Sequence, residues 1–203
     1  MPRPTREQID EEILDTAAAL FARHGFAETS VQRVADATGY SKTGLLHRFP
    51  TKDALQAAAL AATLERVRRV VDGVTASPPG PGRDRAVLEA LADLALARPG
   101  FTALALSSVS RGEEQALALT ELADALFEAF AAPAPTSTGT VVGTERAVRL
   151  TSALGGLAIA ALACRAPHDA PHDAGAVRPL LVDAALGALG HPTPTDAGTG
   201  AGA

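Results

Sequence analysis

The sequence predicts an all-α chain of about nine helices, and three observations carry that prediction. Apolar residues recur at spacings of three and four along nearly the whole sequence, which is the period of one helix face. The strict alternation of apolar and polar residues that is typical of half-buried strands is almost absent. Stretches rich in proline and glycine separate the periodic segments, as the turns between helices require.

Composition excludes several classes of protein. Apolar residues make up 47% of the 203 residues, too many for a disordered chain, and the single cysteine cannot form a disulfide framework. The longest charge-free apolar run, Leu150 to Cys164, is shorter than the roughly 20 residues that a membrane span needs. The first residues contain no apolar segment typical of a signal peptide. We therefore expect a soluble cytoplasmic protein.

The charge is unevenly distributed. The net charge is −5, yet Arg23 to Lys52 contains five basic and two acidic residues, and both lysines of the chain, Lys42 and Lys52, lie there. This asymmetry favours an anionic partner for the basic segment, although a solvated surface would have the same composition.

The N-terminal helices have recognisable capping residues. Thr29, followed three residues later by Gln32, fits a capping box for the second helix, and Ser41 and Thr51 suit the N-caps of the third and fourth. Glycines at 25 and 39 suit the positive φ at which helices commonly end. The first helix is expected at about 5–24, the second ends at 39, and the next two span about 41–48 and 52–73.

The remaining sequence predicts five more helices and a tail. The helices are expected at about 84–97, 101–110, 113–131, 144–164 and 176–189, with loops at 77–82, 132–143 and 166–175. We predict a helix-turn-helix domain at 1–50, a helical effector-binding and dimerisation domain at 51–190, and a disordered tail at 191–203.

Residues 30–49 have the features of a helix-turn-helix. Ala35 is small enough for a helix crossing, Gly39 accepts the turn conformation, and Leu45 anchors the second helix. Phe49 closes the core behind it. The first turn of that second helix, residues 42–44, is the part that reaches base edges in the major groove. The sequence therefore predicts a DNA-binding motif.

The run from Ile13 to Leu55 resembles the DNA-binding domain of the TetR family of transcriptional regulators. The matching residues are Ile13-Leu14, Ala17-Ala18, Leu20-Phe21, Gly25-Phe26, Thr29, Val34-Ala35, Gly39, Ser41-Lys42, Leu45, Phe49-Pro50 and Lys52-Asp53-Ala54-Leu55. The resemblance implies a homodimeric regulator that binds a palindromic double-stranded DNA operator and responds to a small-molecule effector. A repressor is the commoner expectation for this family.

The resemblance and the charge pattern together assign the DNA-binding residues. Ser41 to Arg48 would form the recognition helix, and Lys52 would hold a phosphate. The sequence departs from the family pattern at Tyr40, Leu46 and Arg48. The predicted DNA-binding residues are Thr29, Gln32, Arg33, Tyr40, Ser41, Lys42, Thr43, Gly44, His47 and Lys52.

The last two predicted helices are apolar around much of their circumference, so they need cover on more than one side. The resemblance implies a four-helix bundle between two subunits there. The predicted dimer-interface residues are Leu154, Gly155, Ala158, Ala161, Leu162, Leu181 and Ala185. An apolar effector pocket is expected among Leu64, Phe101, Leu104, Ser108 and Phe127.

No motif predicts an enzyme, a cofactor or a metal site. The His168-Asp169 and His172-Asp173 pairs have a metal-like spacing, but no further cluster supports them. The alternative function is a helical small-molecule-binding or interaction protein whose helix-turn-helix does not bind DNA specifically.

Overall fold

The computed structural model of the chain describes residues 5–74, 76–109, 116–130, 145–164 and 174–192. Within those ranges it contains nine helices and no strand, which confirms the all-α prediction. The helices are α1 (Arg6–Glu28), α2 (Val31–Thr38), α3 (Lys42–Arg48), α4 (Lys52–Val74), α5 (Pro81–Ala97), α6 (Pro99–Val109), α7 (Ala116–Ala129), α8 (Glu145–Ala163) and α9 (Ala174–Leu189).

Most helix ends lie within three residues of the predicted ones. The larger difference is in α1, which continues past a kink at Gly25, and α5 begins at Pro81 inside the expected loop. Proline suits the first position of a helix, because its missing N–H has no partner there anyway. The expected loop at 132–143, most of the one at 166–175, and the tail from 193 lie outside the described residues.

The chain divides into two compact units. Unit 1 comprises Met1–Arg66 and Arg98–Leu119, and unit 2 comprises Val67–Ala97 and Thr120–Ala203. The predicted helix-turn-helix domain, 1–50, falls wholly within unit 1. Helix α4 passes from one unit to the other along the chain.

Unit 1 has one continuous core. Its buried side chains come from α1, α2, α3, α4 and α6. One apolar cluster therefore holds these five helices together. Ile13, Phe21, Leu45, Leu55, Phe101 and Leu104 are its largest members, each exposed by at most 2%. Helix α3 contributes one fully buried side chain, Leu45, to this core, and it is held there against longer helices.

The core of unit 2 is formed by α5, α8 and α9, which pack against one another, together with residues of α4 and α7. Leu88, Leu150 and Val182 are buried where these helices meet. Helix α8 has the length and apolar composition of a membrane-spanning helix, with a mean hydropathy of 1.3 over its best window. One helix of this kind, packed against α5 and α9, does not indicate a membrane protein.

Unit 2 also buries a carboxylate. Asp84, in the first turn of α5, is almost fully buried and accepts a hydrogen bond from Arg146 Nη2 at 3.1 Å. Its other neighbour is His191 Nε2 at 2.7 Å, and Arg146 also donates to the Phe130 carbonyl at 2.8 Å. Because a buried charge is costly unless it is paired, these contacts hold α5, α8 and the end of α9 in register.

Candidate DNA-binding surface

Helices α2 and α3 form the predicted helix-turn-helix. Gly39 has φ 73° and ψ 16°, the left-handed conformation that only glycine adopts without strain. Ala35 and Leu45 are fully buried, one at the helix crossing and the other at the centre of α3. Truncation of a buried leucine such as Leu45 costs about 2–5 kcal/mol, so this one side chain largely anchors the short helix.

The caps of these helices agree with the sequence except at one position. Ser41 is the N-cap of α3 and accepts a hydrogen bond from Gly44 N at 3.0 Å, and Thr51 accepts one from Ala54 N at 3.0 Å. The N-cap of α2 is Ser30, which accepts from Arg33 N at 3.1 Å. The capping box predicted at Thr29 is therefore wrong by one residue.

Thr29 has a different task. Its side chain is fully buried, and its hydroxyl donates to the carbonyls of Gly25 at 2.7 Å and Leu20 at 3.2 Å. Gly25 itself has φ 81° and ψ 166°, so the chain turns sharply there and leaves carbonyls that need partners. Thr29 satisfies them and stabilises the end of α1, and its buried side chain does not face a ligand in solvent.

The exposed side of α3 carries Lys42, Thr43 and His47, which we call the recognition face. At about 100° per residue these three side chains lie within about 140° of one another around the helix. Gly44 is half-buried beside the Ser41 cap, and Tyr40 precedes the helix with 37% of its surface exposed. A narrow face with a cation, a hydroxyl and an imidazole suits phosphates and base edges.

Two predicted residues of α2 are exposed but also have partners within the protein. Gln32 donates a hydrogen bond to Asp36 Oδ1 at 2.7 Å, one turn further along α2. Arg33 Nη1 lies 3.5 Å from the Glu28 carbonyl at the end of α1. Both contacts are at the surface, where they exchange readily for contacts to a phosphate.

Lys52 lies at the first position of α4 and is partly buried. Its ammonium donates to the Phe26 carbonyl at 3.0 Å and the Ala27 carbonyl at 3.4 Å, and it sits 4.1 Å from the centre of the Phe26 ring. These contacts satisfy carbonyls at the end of α1. An ammonium has three donors, so two of them are already used for structure.

Acidic side chains of α1 hold three other helices of unit 1. Asp10 pairs with Arg48 of α3, and Glu11 pairs with Arg66 of α4 and with Arg98, which precedes α6. The hydrogen bond with Glu11 raises the pKa of the Arg98 guanidinium. These pairs leave no local pattern in the sequence, because each joins residues far apart in the chain.

Asp15 completes this set by accepting a hydrogen bond from Phe101 N at 3.0 Å in the first turn of α6. Helix α1 is therefore the element on which the recognition helix, α4 and α6 are all fixed.

Comparison with known proteins gives a family for this surface. Residues 13–59 match the family described as "Bacterial regulatory proteins, tetR family", and this segment contains α2, the turn, α3 and the start of α4. Residues 13–59 are a TetR-family domain. The resemblance predicted from the sequence is confirmed.

Solved structures, TetR-family regulators among them, extend the similarity in fold to the C-terminal helices. PfmR from Thermus thermophilus is 24% identical with a TM-score of 0.58, covering 86% of this chain and 96% of its own. A TetR-like regulator from Rhodococcus sp. RHA1 is 21% identical with a TM-score of 0.59, covering 94% and 100%. AmtR from Mycobacterium smegmatis is 27% identical with a TM-score of 0.50, covering 96% and 100%. No curated protein matches the sequence.

Beyond the TetR-family domain, exposed apolar side chains mark the helices where a dimer interface is predicted. Val148 and Ile159 of α8 are 49% and 62% exposed, and Leu180 of α9 is 69% exposed. Gly156 and Ala184 are exposed small residues at helical spacing from Ile159 and Leu180. We call the five residues Val148, Gly156, Ile159, Leu180 and Ala184 the apolar strip. Of the predicted interface residues, Leu154, Gly155, Ala158 and Leu162 are half-buried, while Ala161, Leu181 and Ala185 are buried within the protomer.

The predicted effector residues are divided between the two units. Leu64, Phe101 and Leu104 belong to unit 1, where Phe101 and Leu104 are buried in the core. Phe127 is buried in unit 2, and the side chain of Ser108 lies outside the described residues. The effector pocket remains a prediction.

Proposed function

We propose that this protein is a ligand-responsive transcriptional regulator, a repressor, that binds a palindromic operator as a homodimer. The observation that carries the proposal is the recognition face, which presents Lys42, Thr43 and His47 to solvent on the second helix of a TetR-family domain. In a helix-turn-helix, side chains at these positions contact base edges and the flanking phosphates. The activity is binding in the cytoplasm, without catalysis.

The exposed residues around α3 supply the rest of the proposed contacts. They are Gln32, Arg33, Tyr40, Ser41, Gly44 and, through its remaining donor, Lys52. Phosphate contacts of this kind fix the orientation of the protein, and contacts from α3 select the sequence. Thr29 is left out of the set because its side chain is buried.

A homodimer is supported by the apolar strip. Large apolar side chains exposed together with small residues at helical spacing are typical of helix–helix interfaces. Two recognition helices about 34–36 Å apart would meet successive major grooves on one side of the duplex. A two-fold dimer therefore calls for an operator with two inverted half-sites.

Release by an effector follows from differential affinity. A small molecule that binds more tightly to a dimer whose recognition helices no longer match the groove spacing shifts the population to that arrangement. A thermal-shift screen of small molecules identifies such a compound, which must then release bound duplex at concentrations near its own dissociation constant.

The proposal is tested by selecting duplexes from a random-sequence library with the purified protein and measuring affinity by fluorescence anisotropy. We expect one two-fold symmetric sequence, bound at least about 10³ times more tightly than poly(dI-dC). Lys42→Ala should lower affinity for both probes and reduce the slope of log K against log salt by about one, whereas Thr43→Ala should change the selected bases.

Arg68→Ala is the matched control, because Arg68 is exposed in unit 2 and pairs with Glu121 at 2.9 Å. It should leave both affinities unchanged. Failure to enrich any sequence, with poly(dI-dC) bound equally well by wild type and Lys42→Ala, would refute the proposal. It would favour a helical binding protein that does not recognise DNA specifically.

A further inference from the structure

Arg48 differs from the other basic residues of the recognition helix in where it points. It is the last residue of α3, and its guanidinium pairs with Asp10 of α1. The Arg48 side chain is 23% exposed and that of Asp10 is 32% exposed, so the pair is partly withdrawn from water. The two residues are 38 positions apart in the sequence.

Helix geometry separates Arg48 from the recognition face. With Lys42 at 0°, Thr43 and His47 lie at about 100° and 140° around α3, and Arg48 lies at about 240°. The centre of the recognition face is thus about 160° from Arg48. An arginine on that side of α3 contacts the protein rather than the groove in which the recognition face lies.

Because α3 is short, its contact with Asp10 has a large influence on its orientation. Leu45 is its one fully buried side chain, and with the partly buried Phe49 just after the helix it leaves few apolar contacts to fix the orientation of seven residues. A charge-assisted hydrogen bond at the C-terminal end supplies a second fixed point with a defined direction. Its partner helix is itself fixed, since the neighbouring Glu11 and Asp15 of α1 hold Arg98 and Phe101 N.

We infer that Arg48 is a positioning residue for DNA recognition, whose ion pair with Asp10 sets the orientation of α3 and thereby the bases that the recognition face contacts. The inference rests on the proposed function. Base contacts tolerate little misplacement, whereas long basic side chains still reach phosphates from a tilted helix. Loss of the pair therefore reduces sequence selectivity and spares non-specific affinity.

The test measures Arg48→Met, Asp10→Asn and their combination against the duplex selected by the wild type and against poly(dI-dC). Each single variant should lower affinity for the selected duplex about tenfold, with the non-specific affinity and the salt slope unchanged. The double variant should be no worse than either single one. Exchange of the charges, Arg48→Asp with Asp10→Arg, should recover most of the lost selectivity.

The opposite pattern would overturn the inference. If Arg48 contacted a phosphate, Arg48→Met would weaken both probes and reduce the salt slope by about one, while Asp10→Asn, by releasing the arginine, would strengthen binding. Arg6→Met is the matched control, because Arg6 lies 4.0 Å from the same carboxylate but is 83% exposed. It should change neither affinity.

A second measurement separates this inference from the proposed function. Amide hydrogen exchange of the free protein should be faster across α3 in Arg48→Met and Asp10→Asn than in the wild type, and unchanged in Arg6→Met. A wild-type protein that selects no duplex would refute the function, while the exchange data would still show whether the pair holds α3. Unchanged exchange together with unchanged selectivity would refute the pair's role.

Discussion

The recognition face and the apolar strip are both exposed, yet their chemistry is opposite. On α3 of unit 1 the exposed side chains are polar and the leucines are buried or half-buried, whereas α8 and α9 of unit 2 expose Ile159 and Leu180. Unit 2 meanwhile buries the Asp84 carboxylate. The polarity of an exposed binding surface matches that of its partner. A polar face therefore suits a hydrated polyanion, and an apolar face suits another protein surface.

The two units also differ in how charge is used. Unit 1 uses half-exposed ion pairs on α1 to fix a short helix whose face must remain free, and such pairs contribute little to stability. Unit 2 uses one enclosed carboxylate with two partners, where loss of a partner is costly. Substitutions in the ion pairs of unit 1 should therefore affect binding more than folding, and those in the carboxylate network of unit 2 the reverse.

The largest expected effect comes from Ile159→Glu in the apolar strip. A charge there opposes burial against a second copy, so the protein should be monomeric at micromolar concentration by sedimentation velocity. Because two linked half-sites bind far more tightly than one, affinity for the selected duplex should fall by a factor of about 10²–10⁴. Circular dichroism should be unchanged, since Ile159 is already exposed to solvent.

Ala86→Glu is the control for that substitution, because Ala86 is an exposed residue of α5 outside the apolar strip. It should leave both the oligomeric state and the DNA affinity as they are. A dimeric Ile159→Glu protein would show that the apolar strip does not form the interface.

The second largest effect is expected on stability, from substitution in the buried network of Asp84, Arg146 and His191 in unit 2. Asp84→Ala leaves Arg146 and His191 without their carboxylate, so the free energy of unfolding should fall by about 3 kcal/mol in urea denaturation at fixed protein concentration. On the same helix, Asp93 pairs with Arg178 at the surface, the Nη2–Oδ2 distance being 2.9 Å. Asp93→Ala should cost less than about 1 kcal/mol. Equal losses would mean that burial does not decide the role of these pairs.

In unit 1, α6 approaches α1 closely at Gly100. A Cβ at this position would overlap the backbone oxygen of Asp15, so Gly100→Ala must push α6 away from α1. We expect a loss of about 1–3 kcal/mol in stability, typical of overpacking. Gly73→Ala, where a Cβ meets no heavy atom within 4 Å, should cause no loss. A neutral Gly100→Ala would show that the α1–α6 contact is less rigid than described.

What the sequence could predict depends on how local the determining interactions are. The turn at Gly39, the cap at Ser41 and the anchor Leu45 act within one helix-turn-helix, and the sequence identified all three. The cap of α2 was misassigned because Thr29 and Ser30 are equally good capping residues. The choice between them depends on the carbonyls of Leu20 and Gly25, which tertiary folding brings to Thr29.

The side of α8 and α9 that faces outward was harder to predict. Both helices are apolar around most of their circumference, so periodicity does not distinguish the side packed within the protomer from the exposed side. Ala161, Leu181 and Ala185 were therefore predicted as interface residues, although they are buried within the protomer, and Val148, Ile159 and Leu180 were not singled out. The Asp10–Arg48 pair left no sequence signal at all.

The two lysines provide the smallest and most discriminating comparison, because the same residue type occupies an exposed and a partly buried position. Lys52→Met keeps the aliphatic stem over Phe26 but removes the hydrogen bonds to two carbonyls, so stability should fall by about 1 kcal/mol. We also expect the third N–H donor of Lys52 to bind a phosphate. The slope of log K against log salt should then fall by about one in the same variant. Lys42→Met, at an exposed position, should lower DNA affinity and the slope without a loss of stability. A Lys52→Met protein with lower stability and an unchanged slope would make Lys52 a purely structural residue, because its carbonyl contacts would then account for its whole effect.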